Sequence, residues 1–210
     1  MNFIVKPINT LLDIFDKLKT FNFLGALALR IYLAPIFILA GWHKLQALDD
    51  TAYYFGEMLG LPAPMLMATL AGLVEFIGGI TLLLGLAVRF LAIPLMFTMI
   101  VAASTAHWEN GWHALPETML TVPWEWRTDL IEEAQTRKDA TKSLLQRHGN
   151  YSWLTEAGSI TVLKNGIEFA ATYFIMLLVL FFIGAGRYFS IDYWLARKFR
   201  TQRLIKQIKA

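Results

Sequence analysis

The chain has 210 residues, 56% of them hydrophobic and 17% charged, with a net charge of +3. That is too apolar for an ordinary soluble domain and points to an integral membrane protein, one unit over residues 1–210 with no Gly-, Ser- or Pro-rich linker. The absence of cysteine excludes disulfides, thiolate metal sites, iron–sulfur clusters and thiol–disulfide relays.

Residues 1–23 lack the basic lead and short apolar core of a cleavable signal. Ile8, Leu11, Leu12, Phe15 and Leu18 recur at helical spacing against Asp13, Asp16, Lys17 and Lys19, which predicts an amphipathic interfacial helix. Residues 24–42 form the first predicted span. Its one charge, Arg30, shares a face with Ala26, Ala34, Phe37 and Gly41, and it ends in Trp42-His43-Lys44. Residues 46–62 read as a short loop. The second span, 64–86, contains the run ATLAGLVEFIGG, in which Ala68, Gly72, Glu75 and Gly79 lie on one face. Small residues on a membrane helix admit a neighbouring backbone, so Glu75 is expected to face protein.

The third span covers 90–106. Residues 107–165 carry five of the seven tryptophans (Trp108, Trp112, Trp124, Trp126 and Trp153) and suggest a segment at the bilayer surface. Within it, residues 128–147 predict a helix with Thr128 as N-cap and Gly149 beyond its end. The fourth span is 167–184. In the basic tail, 187–210, Ile191, Leu195 and Phe199 oppose Arg197, Lys198, Arg200, Arg203, Lys206 and Lys209. Membrane lipid is its expected partner, and nucleic acid is not. The fold class is thus an all-α membrane protein: a four-transmembrane-helix bundle with amphipathic N- and C-terminal interfacial helices and a Trp-rich extracytoplasmic insert between helices 3 and 4. The distribution of basic residues predicts both termini on the cytoplasmic side of the inner membrane.

Counting from the outer helix ends puts Glu75 about 15 Å deep and Arg30 about 18 Å deep. This predicts an Arg30–Glu75 ion pair, serving either as a registry device or as a polar pocket. His43, Lys44, His107 and Glu168 fall near outer helix ends and form a second candidate cluster, with His113 just beyond. Their spacing supports no metal assignment.

The arginine of the first span, Gly41…Lys44, Glu75-x-x-Gly78-Gly79, and Gly184-x-Gly186-Arg187-Tyr188-x-x-x-Asp192 together resemble the DoxX family of four-helix inner-membrane proteins. By motif, the resemblance singles out Arg30, Lys44, Glu75 and Arg187. Some members are subunits of thiosulfate:quinone oxidoreductase. A longer branch, similar to this chain in length and insert, is found beside genes for modified copper-binding peptides. The resemblance therefore implies an accessory of an extracytoplasmic redox or copper-stress system that supports maturation or export of a metal-binding peptide. The alternative is a quinone-reactive subunit of an oxidoreductase using Arg30 and Glu75. An extracytoplasmic protein or peptide partner is expected; quinone as cofactor, self-association and catalysis stay open.

Overall fold

The computed structural model describes residues 12, 13, 15–161 and 163–209, with side chains as far as residue 200. Ile8 and Leu11 of the expected N-terminal helix lie outside the described residues. Of the same helix, Leu12, Phe15 and Leu18 are exposed. Among the described residues every regular element is helical. Packing groups the chain into two compact units, Met1–Met96 with Ile175–Ala210, and Phe97–Phe174, where the sequence suggests one.

The first unit is built on α1 (Phe23–Gln46) and α3 (Pro64–Leu84), joined by the short α2 (Leu48–Tyr53) and a π-helical turn at Tyr54–Met58. Residues 46–62, expected as loop, are thus partly helical. Along α1 the buried positions are Ala26, Arg30, Leu33, Ala34, Phe37 and Gly41; along α3 they are Ala68, Gly72, Glu75, Gly78, Gly79 and Leu82. Both sets follow the helical repeat, so each helix buries one face. The faces meet at backbone distance. A Cβ on Gly79 would stand 2.7 Å from the Ile38 nitrogen and 2.9 Å from the Ala34 oxygen; one on Gly41 would stand 2.7 Å from the Gly72 oxygen and closer still to Phe76. Glycine is required here because lipid tails supply no hydrophobic drive between helices, and close van der Waals packing must hold them.

Local chemistry sets the helix ends. Pro64 starts α3 at a position where a missing N–H costs nothing. Gly85, at φ 67°, stops it, and the N–H groups of Gly85 and Leu86 turn back to the carbonyls of Leu82 and Thr81. α4 (Val88–Val101) follows at once, two residues earlier than the sequence suggests. α1 likewise runs four residues past Trp42. Among the described residues, three helices are long and apolar enough to cross a membrane, within Phe15–Gln46, Pro64–Leu84 and Val88–Asn110. The fourth apolar helix, Glu168–Ile183, has 16 residues, about 24 Å against a hydrocarbon core of about 30 Å.

In the second unit, the N–H groups of residues 165–168 donate four hydrogen bonds to the carbonyls of residues 111–114, among them Gly166 N–H to the His113 carbonyl at 3.0 Å. A Cβ on Gly166 would lie 2.5 Å from the oxygens of Gly111 and His113, so this pairing also requires glycine. α5 (Thr128–His148) buries Ile131 and Ala134. Its N-cap is Arg127 without a side-chain cap, and the expected cap, Thr128, is the first helical residue. Trp108 stacks on Trp126 at 4.6 Å, and Trp112 meets Trp124 edge-on at 5.6 Å. A four-residue helix, α6 (Tyr151–Leu154), leads towards α7 (Glu168–Ile183), whose second half returns to the first unit, followed there by α8 (Ile191–Lys209).

Candidate functional site

Arg30 and Glu75 are both buried, at 1% and 4% exposure, but they do not pair. The Arg30 Nε donates to the Leu82 carbonyl at 2.7 Å, Nη1 to those of Ala185 (2.7 Å) and Phe189 (3.0 Å), and Nη2 to that of Leu83 (2.9 Å). Glu75 instead accepts from the Lys44 ammonium. The expected Arg30–Glu75 pair is therefore corrected, for a reason of register. The Gly41–Phe76 and Ile38–Gly79 approaches place residue 75 near residue 42 of α1, so Arg30 lies about 18 Å away along the axis. Counting depth from helix ends fails because α1 runs on to Gln46 and the two outer ends are not flush.

Arg30 acts as a cap. The last carbonyls of a helix have no partner within it and carry partial negative charge, which a guanidinium fork satisfies. Here one fork serves the end of α3 and the chain just past α7. The motif after α7 completes the junction. Asp192 accepts the N–H groups of Ala87 (2.7 Å) and Val88 (3.1 Å) at the start of α4, while its own N–H reaches the Gly85 carbonyl at 3.0 Å. Ser190 bonds the Gly186 carbonyl at 2.7 Å and accepts from Tyr193 N–H at 3.2 Å. Gly186 (φ 84°) and Tyr188 (φ 62°) take left-handed conformations that bend the chain against Phe23. Gly78 packs on the Leu95 side chain and Gly79 on α1. Arg187 is exposed. Most of the family-like motif thus builds a junction of helix ends.

Lys44 and Glu75 are different in kind. The Glu75 side chain is 6% exposed and the Lys44 side chain 28%. A carboxylate among glycines on α3 therefore meets an ammonium that keeps partial access to its surroundings. The Trp42 and Phe76 rings, 5.6 Å apart, belong to neighbouring positions on the two helices. Such a pair can donate to, or accept from, a polar headgroup.

Of the remaining members of the expected outer cluster, Glu168 comes within 4.0 Å of His113 Nδ1. His43 is exposed. His107 Nδ1 lies 2.9 Å from the Asn165 carbonyl, and Glu168 accepts the Ala114 N–H at 2.9 Å. No group of three or more His, Asp or Glu side chains able to hold a metal occurs among the described residues. Sequence reasoning missed two buried contacts of the second unit. His113 Nε2 stands 3.1 Å from Glu117, and the Lys164 ammonium 2.7 Å from Glu125. Burial alone would push the Glu125 carboxyl up; the Lys164 ammonium and the N–H groups of Arg127 and Trp112 outweigh it and hold it at about 2. Thirty-nine residues separate Lys164 from Glu125, so no local spacing signals the pair.

The DoxX family model matches residues 25–108, the stretch that holds Arg30, Lys44 and Glu75. The chain is 36% identical over 87 residues to a Bacillus subtilis (strain 168) protein named "Putative oxidoreductase CatD", covering 41% of this chain and 62% of that one. It thus spans less than two thirds of that relative. It is 33% identical over 112 residues to the "Inner membrane protein YphA" of Escherichia coli (strain K12), covering 50% of this chain and 79% of YphA. The "Inner membrane protein YqjF" of the same organism is 35% identical over 86 residues, 40% of this chain and 64% of that protein. No solved structure gives a significant match. With the family match on the segment that carries the buried charges and a relative covered over most of its length, this membrane protein belongs to the DoxX family.

Proposed function

We propose that the chain is a membrane subunit of a redox system in which Lys44 and Glu75 bind a quinone headgroup and handle its protons. The observation that carries this reading is the part-buried Lys44–Glu75 pair on α1 and α3. A relative named as an oxidoreductase supports it. Reduction of a quinone to a quinol takes up two electrons and two protons. A partner redox protein supplies the electrons; Lys44 donates to a quinone oxygen and Glu75 passes protons towards it. Arg30, assigned this role from sequence, is occupied by helix-end carbonyls. The test is photolabelling of the purified protein in nanodiscs with an azido-quinone. Labelling is expected in the wild type and is lost in the double variant Lys44→Met/Glu75→Gln, which removes both charges and leaves neither unpaired. Wild-type protein without label, or a double variant labelled equally, would overturn the proposal.

A second reading, an accessory that holds an extracytoplasmic peptide during metal-binding peptide maturation or export, draws support from the exposed Trp108, Trp124 and Trp153. Deleting residues 117–149 abolishes the in-cell phenotype on this reading; retained function would sink it. In both readings the chain crosses the inner membrane four times, with Glu168–Ile183 as the last crossing, residues 107–165 outside and both termini in the cytoplasm.

A further inference from the structure

A groove of about 510 Å³ runs along α5 in the second unit. Its α5 wall follows the helical repeat: Leu130, Ala134, Thr141 and Leu145 share one face, and Leu163 also lines it. Four basic residues and no acidic residue line it. Two of the four are neutralised, Arg137 by Glu133 and Lys164 by Glu125. Lys138 and Lys142 form no ion pair among the described residues and stand one helical turn apart.

A solvated helix face would be expected to mix signs around its whole circumference. On α5 the acidic side chains Asp129, Glu132, Glu133 and Asp139 all lie outside the groove, which is left apolar at its floor and cationic at its rim. We infer that this groove binds an extended acidic peptide segment, with carboxylates at alternate positions and an apolar side chain beside them. The spacing supports that occupant. Lys138 and Lys142 are separated by about 6 Å along the helix axis, and alternate side chains of an extended peptide by about 6.6 Å. The concavity favours a single chain over a lipid surface, which is too broad to enter it. The site is independent of the Lys44–Glu75 proposal. It deepens the accessory reading by giving the partner a chemistry and a seat.

The test uses the full chain in neutral detergent and a fluorescein-labelled peptide of sequence Gly-Glu-Leu-Glu-Leu-Gly, followed by anisotropy. Saturable binding that weakens with salt is expected. The pair Lys138→Glu/Lys142→Glu should lower affinity about tenfold, while Lys198→Glu on α8 leaves it unchanged. Leu145→Ser should also weaken binding, with helix content checked by circular dichroism. Equal binding of a peptide with Lys in place of Glu overturns the inference, as does binding indifferent to the α5 variants. If the α5 variants alter only adsorption to phosphatidylglycerol vesicles and no peptide binds, the rim is a lipid contact and the inference is wrong. Loss of peptide binding with quinone labelling intact separates this outcome from failure of the redox proposal. Phenotype lost on deleting residues 117–149 without peptide binding separates it from failure of the accessory reading.

Discussion

Arg30→Met removes the fork that holds the helix junction and keeps most of its apolar volume. Four carbonyls lose a charged donor, and two of them, Leu82 and Ala185, are deeply enclosed. A buried acceptor left without a partner costs about 1–3 kcal/mol. The Leu83 and Phe189 carbonyls are partly exposed and can take water. The two enclosed groups therefore set the loss at about 2–6 kcal/mol, which for a chain of this size lowers Tm by roughly 8–16 °C at the mid-range. Arg30→Lys should recover part of this, since an ammonium keeps the charge but cannot match the planar fork. The assay is thermal unfolding of the detergent-solubilised protein followed by size-exclusion chromatography. The geometry further requires that Arg30→Met and Glu75→Gln act additively, to within about 0.5 kcal/mol, because the groups are far apart and share no partner. A Tm loss under about 2 °C, or strong coupling between the two sites, would refute the cap.

Three further outcomes follow from named contacts. Lys44→Met alone should destabilise by about 3–5 kcal/mol by leaving Glu75 as a lone buried charge, and adding Glu75→Gln should restore most of that; thermal melts of the four proteins of the cycle check it. Gly79→Leu should abolish assembly of the α1–α3 pair, since even a Cβ there meets the Ile38 nitrogen at 2.7 Å; loss of monodisperse protein after extraction is the readout. Glu125, held at about 2, contributes stability that is fully present above its ordinary carboxyl range near 4.5 and is lost as pH falls through about 2. The drop from 4.5 to 2 corresponds to about 3 kcal/mol. Tryptophan fluorescence should therefore change over pH 4.5 to 2, and Lys164→Met should move the transition to higher pH.

The helical class, the apolar runs, the small-residue faces and the burial of Arg30 and Glu75 follow from local rules. Spacing along a helix is set by 3.6 residues per turn, and a charge amid apolar residues can only turn inward. The family motif was likewise legible as a string, although nothing in it says that Asp192 caps α4 or that Arg30 holds the end of α3. Partner choice depended on register between helices. Depth counted from each end assumes that the outer ends are flush, and the offset between α1 and α3, about three helical turns, puts Lys44 rather than Arg30 beside Glu75. The second unit was less legible still: Glu125 and Lys164 meet across 39 residues through a pairing of two irregular segments that no periodicity marks. The sequence by itself determined which side chains had to be buried in the membrane helices. Only the tertiary structure decided which of them touch, because contact depends on the offset between backbones, and here close glycine packing sets that offset.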